Sequence, residues 1–196
     1  MKKMLAVLIM LTLVVSCLAT AFAEEGASTA EATKPVRHIL VVYFSATGTT
    51  KGVAEKLAEG LSADLYEIVP EEPYTDADLN YNNSKIRTSI ETDDPSCRPA
   101  IAGELPDLSA YDTILVGYPI WWGDVPRIVS NFVENVDLTG KTLAVFFTSG
   151  SSGLGSSMKH LEAQAGAGTW LEGKRFSART TVEELTQWAA SLGIEP

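Results

Sequence analysis

Cysteine is almost missing from this chain: of 196 residues only Cys17 and Cys97 carry a thiol. A disulfide framework is therefore excluded, and Cys97, in an extended Pro-containing stretch, reads as an incidental thiol rather than a catalytic one. Histidine is as scarce. Neither His38 nor His160 has a second His or Cys at ligand spacing, which argues against a metal site. Positive charge is also short: 15 Lys and Arg face 25 Asp and Glu, for a formal net charge of -10. Such a surface repels nucleic acid and anionic lipid and suits docking to a basic patch on a partner. The glycine signatures of common nucleotide binders are absent, since Lys51 lacks the glycines of a Gly-x4-Gly-Lys loop and no Gly-x-Gly-x-x-Gly occurs. Ser149-Gly150-Ser151-Ser152-Gly153 misses the spacing of a nucleophile elbow, against a serine hydrolase. There is no internal repeat.

One long apolar run is present, Met4 to Val15, preceded by Lys2 and Lys3. It is short for a transmembrane helix and has the layout of a secretory signal peptide. Residues 1–23 are read as that leader, with cleavage after Ala21-Phe22-Ala23; Val14-Val15-Ser16-Cys17 offers a lipobox alternative in which Cys17 becomes a lipid-anchored N-terminus. Cleavage after Ala23 removes two cations and no acid, so the mature chain is more acidic still. Residues 24–36 are Ala-, Glu-, Thr- and Ser-rich without apolar periodicity and read as a flexible tether. Residues 37–196 are the right size for one domain. The expected location is exported, extracellular or periplasmic, with membrane contact only through a lipid on Cys17. No twin arginine is present, so the chain is expected to cross the membrane unfolded and to acquire any cofactor outside.

Within the domain, apolar strand-like runs recur at Ile39–Phe44, Leu65–Val69, Thr113–Gly117 and Thr142–Phe147, with a weaker one over Thr169–Phe176. Helical patterns fall between them at Thr50–Leu61, Pro126–Asn135, Ser156–Ala165 and Val182–Leu192. Pro126 suits a first turn; Val129, Phe132, Val133 and Val136 form a core stripe. Thr180-Thr181-Val182-Glu183-Glu184 offers a capping box for the last helix, whose buried face is Leu185, Trp188 and Leu192. Strands apolar throughout belong to a parallel sheet covered on both faces, and their alternation with helices makes it doubly wound. Glu71–Ala110 is the irregular stretch, with a short helix expected around Asp78–Ile90. A connection of that length commonly contributes to a site or its lid.

Three loops follow strands and precede helices. Ser45-Ala46-Thr47-Gly48-Thr49-Thr50 joins four hydroxyls to a flexible glycine at a helix N-terminus, where free N–H groups and the macrodipole favour an anion such as phosphate. Tyr118-Pro119-Ile120-Trp121-Trp122-Gly123-Asp124 puts two adjacent indoles at a strand end. Neighbours there cannot easily both face inward, so at least one indole is expected at the edge, where a ring could stack on it. Thr148-Ser149-Gly150-Ser151-Ser152-Gly153-Leu154-Gly155 lets backbone approach a flat ligand closely.

The pattern Ser-x-Thr-Gly-x-Thr, followed by the Trp-Trp and Thr-Ser-Gly loops in that order, resembles the flavodoxin family over about Ile39 to Leu192. The resemblance implies a flavodoxin-like, doubly wound five-stranded parallel sheet of order 2-1-3-4-5 with helices on both faces. Ligands of such sheets bind beyond the strands' carboxyl ends where the order reverses, a rule for which flavodoxin with FMN is itself a standing example. The resemblance implies FMN as cofactor. Ser45, Thr47, Gly48, Thr49 and Thr50 would bind its phosphate, Pro119, Ile120, Trp121, Trp122 and Gly123 would contact one side of the ring, and Thr148, Ser149, Gly150 and Gly155 would approach its edge. No residue is assigned a catalytic or metal-binding role. The implied activity is electron transfer with a redox partner protein or a small-molecule acceptor. The Gly123-Asp124 peptide would turn on reduction, as in members with glycine there. The acidic surface, with no Lys or Arg nearby, would lower the second potential. Two alternatives stand beside it: an FMN-dependent oxidoreductase acting on NAD(P)H and a quinone or other small acceptor, for which Tyr74 and Tyr81 of the Glu71–Ala110 segment offer a shallow site, and a non-redox module for another phosphorylated ligand. Cleavage after Ala23 predicts no incorporation of labelled palmitate; labelling that disappears in Cys17→Ala would establish the lipobox instead.

Overall fold

The computed structural model describes residues 38–195. The leader over 1–23, including Cys17, and the tether over 24–36 lie outside the described residues. Among these residues no helix is long and apolar enough to cross a membrane.

The first apolar run forms β1, Ile39–Tyr43, buried along its whole length. It leads into α1, Thr49–Leu61, whose buried stripe includes Val53, Leu57 and Leu61. Then come β2 (Asp64–Glu67), α2 (Arg87–Asp93), β3 (Thr113–Pro119), α3 (Arg127–Glu134), β4 (Thr142–Thr148), α4 (Ser157–Ala165), β5 (Thr169–Trp170), β6 (Lys174–Phe176) and α5 (Val182–Ser191). The strands pair in parallel in the order β2-β1-β3-β4-β5, with β6 also on β4. This is the doubly wound sheet implied above, with its order reversing between β1 and β3.

Two cores explain why the central strands are apolar on both faces. Leu40, Val42, Ile114, Val116 and Val145 pack under α3 and α4 through Val129, Phe132, Val133 and Leu161. Ile39, Val41, Tyr43, Leu115 and Phe146 pack under α1 and α5 through Val53, Leu57, Leu185 and Trp188. Each fully buried side chain of this size contributes about 1.5–3 kcal/mol relative to exposure. The capping box on α5 forms: Thr181 Oγ1 accepts from the Glu184 N–H at 3.2 Å, and Glu184 Oε2 accepts from the Thr181 N–H at 2.9 Å.

Three expectations are corrected. The helix around Asp78–Ile90 is instead Arg87–Asp93, because side chains of the preceding polar run capture backbone donors: Asn80 Oδ1 accepts from the Asn82 N–H and Asn83 Oδ1 from the Lys85 N–H. Such local turns compete with helix formation. The weak fifth strand is split into β5 and β6 by residues 171–173, so the fifth position is filled by two short pieces that both lie along β4. The second strand is shorter than Leu65–Val69 and half open at the sheet edge, with Leu65 exposed.

Glycine at 117 is a packing requirement. A Cβ added there would sit 2.1 Å from the Phe146 ring, whereas one at Gly52 on α1 would meet nothing within 4 Å. Gly117→Ala is therefore expected to destabilise by about 1–3 kcal/mol. Gly52→Ala should stabilise by roughly 0.5–1 kcal/mol through helix propensity. Urea denaturation of both variants measures the opposite signs.

Candidate functional site

The parallel register brings the carboxyl ends of β1, β3 and β4 to one edge, and the three loops meet there. The first, at residues 45–48, enters α1 through Gly48, whose φ of 82° is a left-handed conformation that a side chain disfavours. No side chain caps this helix, so its first-turn N–H groups point at the edge without an intrahelical partner. The Ser45 hydroxyl is buried and has no hydrogen-bond partner. Thr47 and Thr49 are exposed, their hydroxyls 3.4 Å apart. Thr50 turns inward: its hydroxyl is buried and lies 2.8 Å from that of Thr148, tying the first loop to the third.

The second loop is a tight reversal. Trp121 and Asp124 exchange both backbone hydrogen bonds, at 3.0 and 2.9 Å. The central residues Trp122 and Gly123 have φ of 51° and 82°, the pair of positive values that defines a type I′ turn. Glycine is at home there, but a left-handed tryptophan costs roughly 1–2 kcal/mol. The reversal sends the two indoles apart. Trp121 is buried, 4% exposed, with its ring edge-on to Phe44 (5.2 Å) and Tyr74 (4.9 Å). Trp122 is 40% exposed, lies 5.2 Å from the Tyr81 ring, and directs Nε1 at Thr88 Oγ1 over 3.4 Å.

In the third loop the Ser149 hydroxyl donates to the Ser152 carbonyl. Gly155 lies against the second loop: a Cβ there would sit 3.0 Å from the Gly123 carbonyl oxygen. The second and third loops thus touch through two glycines.

Between the loops lies an open cleft of about 400 Å³. Thr47 and Thr49 line it from the first loop, Pro119, Ile120 and Trp121 from the second, Thr148, Ser149 and Gly150 from the third. Ser45, Gly48, Thr50, Trp122, Gly123 and Gly155 stand around it without lining it. Tyr81, named in the sequence only for a shallow substrate site, also lines it, and four lining residues escaped the sequence reading: Leu79, Phe176, Ser177 and Ala178. The last three follow from β6 ending beside Thr148, its register partner being Phe176. Leu79 and Tyr81 come from the long excursion after β2, in which only the aromatic character of Tyr81 was a signal.

That excursion is anchored by a half-buried ionic cluster centred on the buried Glu91. Glu91 accepts from the Tyr74 hydroxyl (2.7 Å) and from Arg87 Nε (2.6 Å), and the Arg87 guanidinium lies 4.0 Å from the centre of the Tyr74 ring. Burial, reinforced by the Glu91 carboxylate, pushes the Tyr74 phenol well above its ordinary value, so it remains a donor. Cys97 is free, and burial raises its thiol as well, which leaves it in the less nucleophilic protonated form. Among the described residues no cluster of His, Cys, Asp or Glu could hold a metal ion.

The sequence model of the Flavodoxin family matches residues 38–192. No curated protein matches the chain. Among solved structures, a Bacteroides eggerthii protein assigned to the flavoproteins is similar at 42% identity and a TM-score of 0.77, over 82% of this chain and 100% of that one. A flavoprotein from Lactobacillus acidophilus, solved in complex with FMN, is similar at 25% identity and a TM-score of 0.62, over 79% of this chain and 99% of that one. Oxidised flavodoxin 2 from Bacillus cereus shares the fold at 21% identity and a TM-score of 0.50, over 80% of this chain and 97% of that one.

Removing the Tyr74 hydroxyl leaves Glu91 buried with one partner fewer. Tyr74→Phe is expected to lower stability by roughly 1.5–3 kcal/mol, the range for a hydrogen bond to a charged group, as read by urea unfolding.

Proposed function

Because this chain belongs to the flavodoxin family, with FMN as its cofactor, we propose that it works as an electron carrier, taking electrons from one partner and passing them to another. Bound FMN supplies reversible one- and two-electron chemistry; the protein supplies seating and access.

The residues present fit that cofactor. The orphaned Ser45 hydroxyl, the exposed Thr47 and Thr49 hydroxyls and the uncapped first turn of α1 make a cradle for a phosphate without a cation. Each hydrogen bond to the charged group is worth about 1.5–3 kcal/mol. Lys51, the nearest cation in sequence, is engaged by Glu67 at 3.2 Å. Gly48 gives the backbone its close approach, and Thr50 braces the cradle against Thr148. Pro119, Ile120 and Trp121 offer one wall to the ring, with Trp122 and Gly123 at its border; Thr148, Ser149 and Gly150 offer its edge, with Gly155 behind.

The observation that carries the carrier reading is the lining of the cleft. Among the described residues it holds no carboxylate, amine, guanidinium, imidazole or thiol. Its one titratable group is the Tyr81 phenol, which burial raises above its usual value and so keeps neutral. A site built to move protons onto a substrate needs a positioned acid or base; exchange of electrons does not.

A second reading, an oxidoreductase that passes electrons from NAD(P)H to a quinone or another small acceptor, is favoured by Leu79 and Tyr81. They extend the cleft on the side of the long excursion and give a small molecule something to lie against. The leader over residues 1–23 supports work outside the cytoplasm, at a membrane only if Cys17 carries lipid, with an acidic surface facing a basic redox partner.

Added FMN is expected to bind the purified protein and give a flavin absorption spectrum shifted from that of free FMN. Stopped-flow mixing with NADPH should then bleach it slowly if it is a carrier. Rapid bleaching with turnover of a quinone would establish the second reading, and a spectrum unshifted from free FMN would defeat both.

A further inference from the structure

The type I′ turn at residues 121–124 carries a strained tryptophan and directs the Gly123 carbonyl at Gly155. Beside its two backbone hydrogen bonds, one carboxylate braces it. Asp124 has its backbone N–H and C=O committed to Trp121, and its side chain is buried. Oδ1 accepts from the Val125 N–H at 2.8 Å. Oδ2 accepts from Arg127 Nη1 at 3.2 Å. His160 Nδ1 lies 3.0 Å from both oxygens.

The two partners reach in different directions. Arg127 is itself buried, and its remaining nitrogens are spent on the end of α2: Nη2 donates to the Thr92 carbonyl at 2.6 Å and Nε to the Glu91 carbonyl at 3.3 Å. His160 sits on α4, which begins two residues beyond Gly155, and its side chain is 49% exposed. The carboxylate of Asp124 therefore joins the second loop to the helix that follows the third loop, and through Arg127 to the excursion that carries Tyr81.

We infer that Asp124 is a positioning residue for the cofactor site: clamped between Arg127 and His160, it holds the Trp122–Gly123 turn in its left-handed form and keeps the Gly123 carbonyl at the rim shared with Gly155. The inference rests on the FMN reading above for its redox consequence, but not for its structural one. Asparagine at 124 would keep an oxygen for the Val125 N–H and place an amide NH2 where two donors, Arg127 Nη1 and His160 Nδ1, now converge. The clamp would open on that side without a loss of volume. Removing His160 takes away one arm from a half-exposed position, with little risk to folding.

The test uses Asp124→Asn, His160→Ala and the double variant. In protein without FMN, hydrogen exchange of the Trp121 and Asp124 amides reads the two turn bonds directly; it is expected to speed up at least tenfold in Asp124→Asn and several-fold in His160→Ala. In FMN-loaded protein, the separation of the two one-electron midpoint potentials is expected to change by the equivalent of at least tenfold in the equilibrium between the couples in Asp124→Asn. His160→Ala should change it less and in the same direction, while affinity for oxidised FMN stays within threefold in both. The double variant should go no further than Asp124→Asn, since both act through one carboxylate. Unchanged amide exchange in both single variants overturns the inference, and so does faster exchange with an unchanged separation of potentials. If Asp124→Asn does not fold, His160→Ala decides by the same two readings. If none of the proteins takes up FMN, the functional reading fails while amide exchange still decides the clamp.

Discussion

Burial of β1, β3 and β4 on both faces is the constraint from which the rest follows. Val42, Val116 and Val145 lie side by side in the register under α3 and α4, and their neighbours Val41, Leu115 and Ala144 lie side by side on the other face under α1 and α5. Strands in that position cannot carry polar chemistry along their length without leaving a buried group unpaired. Everything polar that the domain offers a ligand is therefore pushed to the strand ends, and the parallel arrangement collects three of those ends at one edge. The hydroxyls of Thr50 and Thr148 mark where apolar sheet gives way to site: buried, 2.8 Å apart, and satisfied by each other.

Among the described residues the cleft is lined without a full charge, in an otherwise acidic protein. Of the cations around it, Lys51 is paired with Glu67, Arg87 with Glu91 and Arg127 with Asp124, while the exposed Lys174, Arg175 and Arg179 flank the wall made by Phe176, Ser177 and Ala178. What the first loop offers an anion is hydroxyls and the backbone N–H groups of a helix end.

The strands, helices and three loops were legible in the sequence because periodicity and turn chemistry speak to local structure, and here local structure agrees with the global fold; the strand order came from the resemblance to the flavodoxin family. Val53, Leu57 and Leu61 announced α1; Thr181 and Glu184 announced the start of α5. The excursion after β2 was not legible. Its helix lies later than its apolar residues suggested because Asn80 and Asn83 win the backbone donors, a competition that a hydrophobic pattern does not register. The indoles were half legible. That Trp121 and Trp122 part company follows from their adjacency, but that the buried Trp121 lines the cleft while the exposed Trp122 stands outside it depends on a left-handed residue that no propensity would place there. Asp124 and His160 lie far apart in sequence and share no pattern, so their meeting was visible only in three dimensions.

The long excursion leaves and rejoins the sheet at a narrow neck, where Pro70 bridges Ile101 and backbone bonds run from Glu71 to Ala100 and from Ala102 to Val69. A chain cinched at its base behaves like a cassette. Doubling its length would add only about 0.6 kcal/mol of closure entropy, provided that Tyr74 keeps its place against Phe44 and Trp121 and the Glu91 and Thr92 carbonyls theirs on Arg127. Whatever this protein meets at its cleft can thus be revised by trading the residues inside the cinch, while the cradle and the sheet beneath are inherited intact.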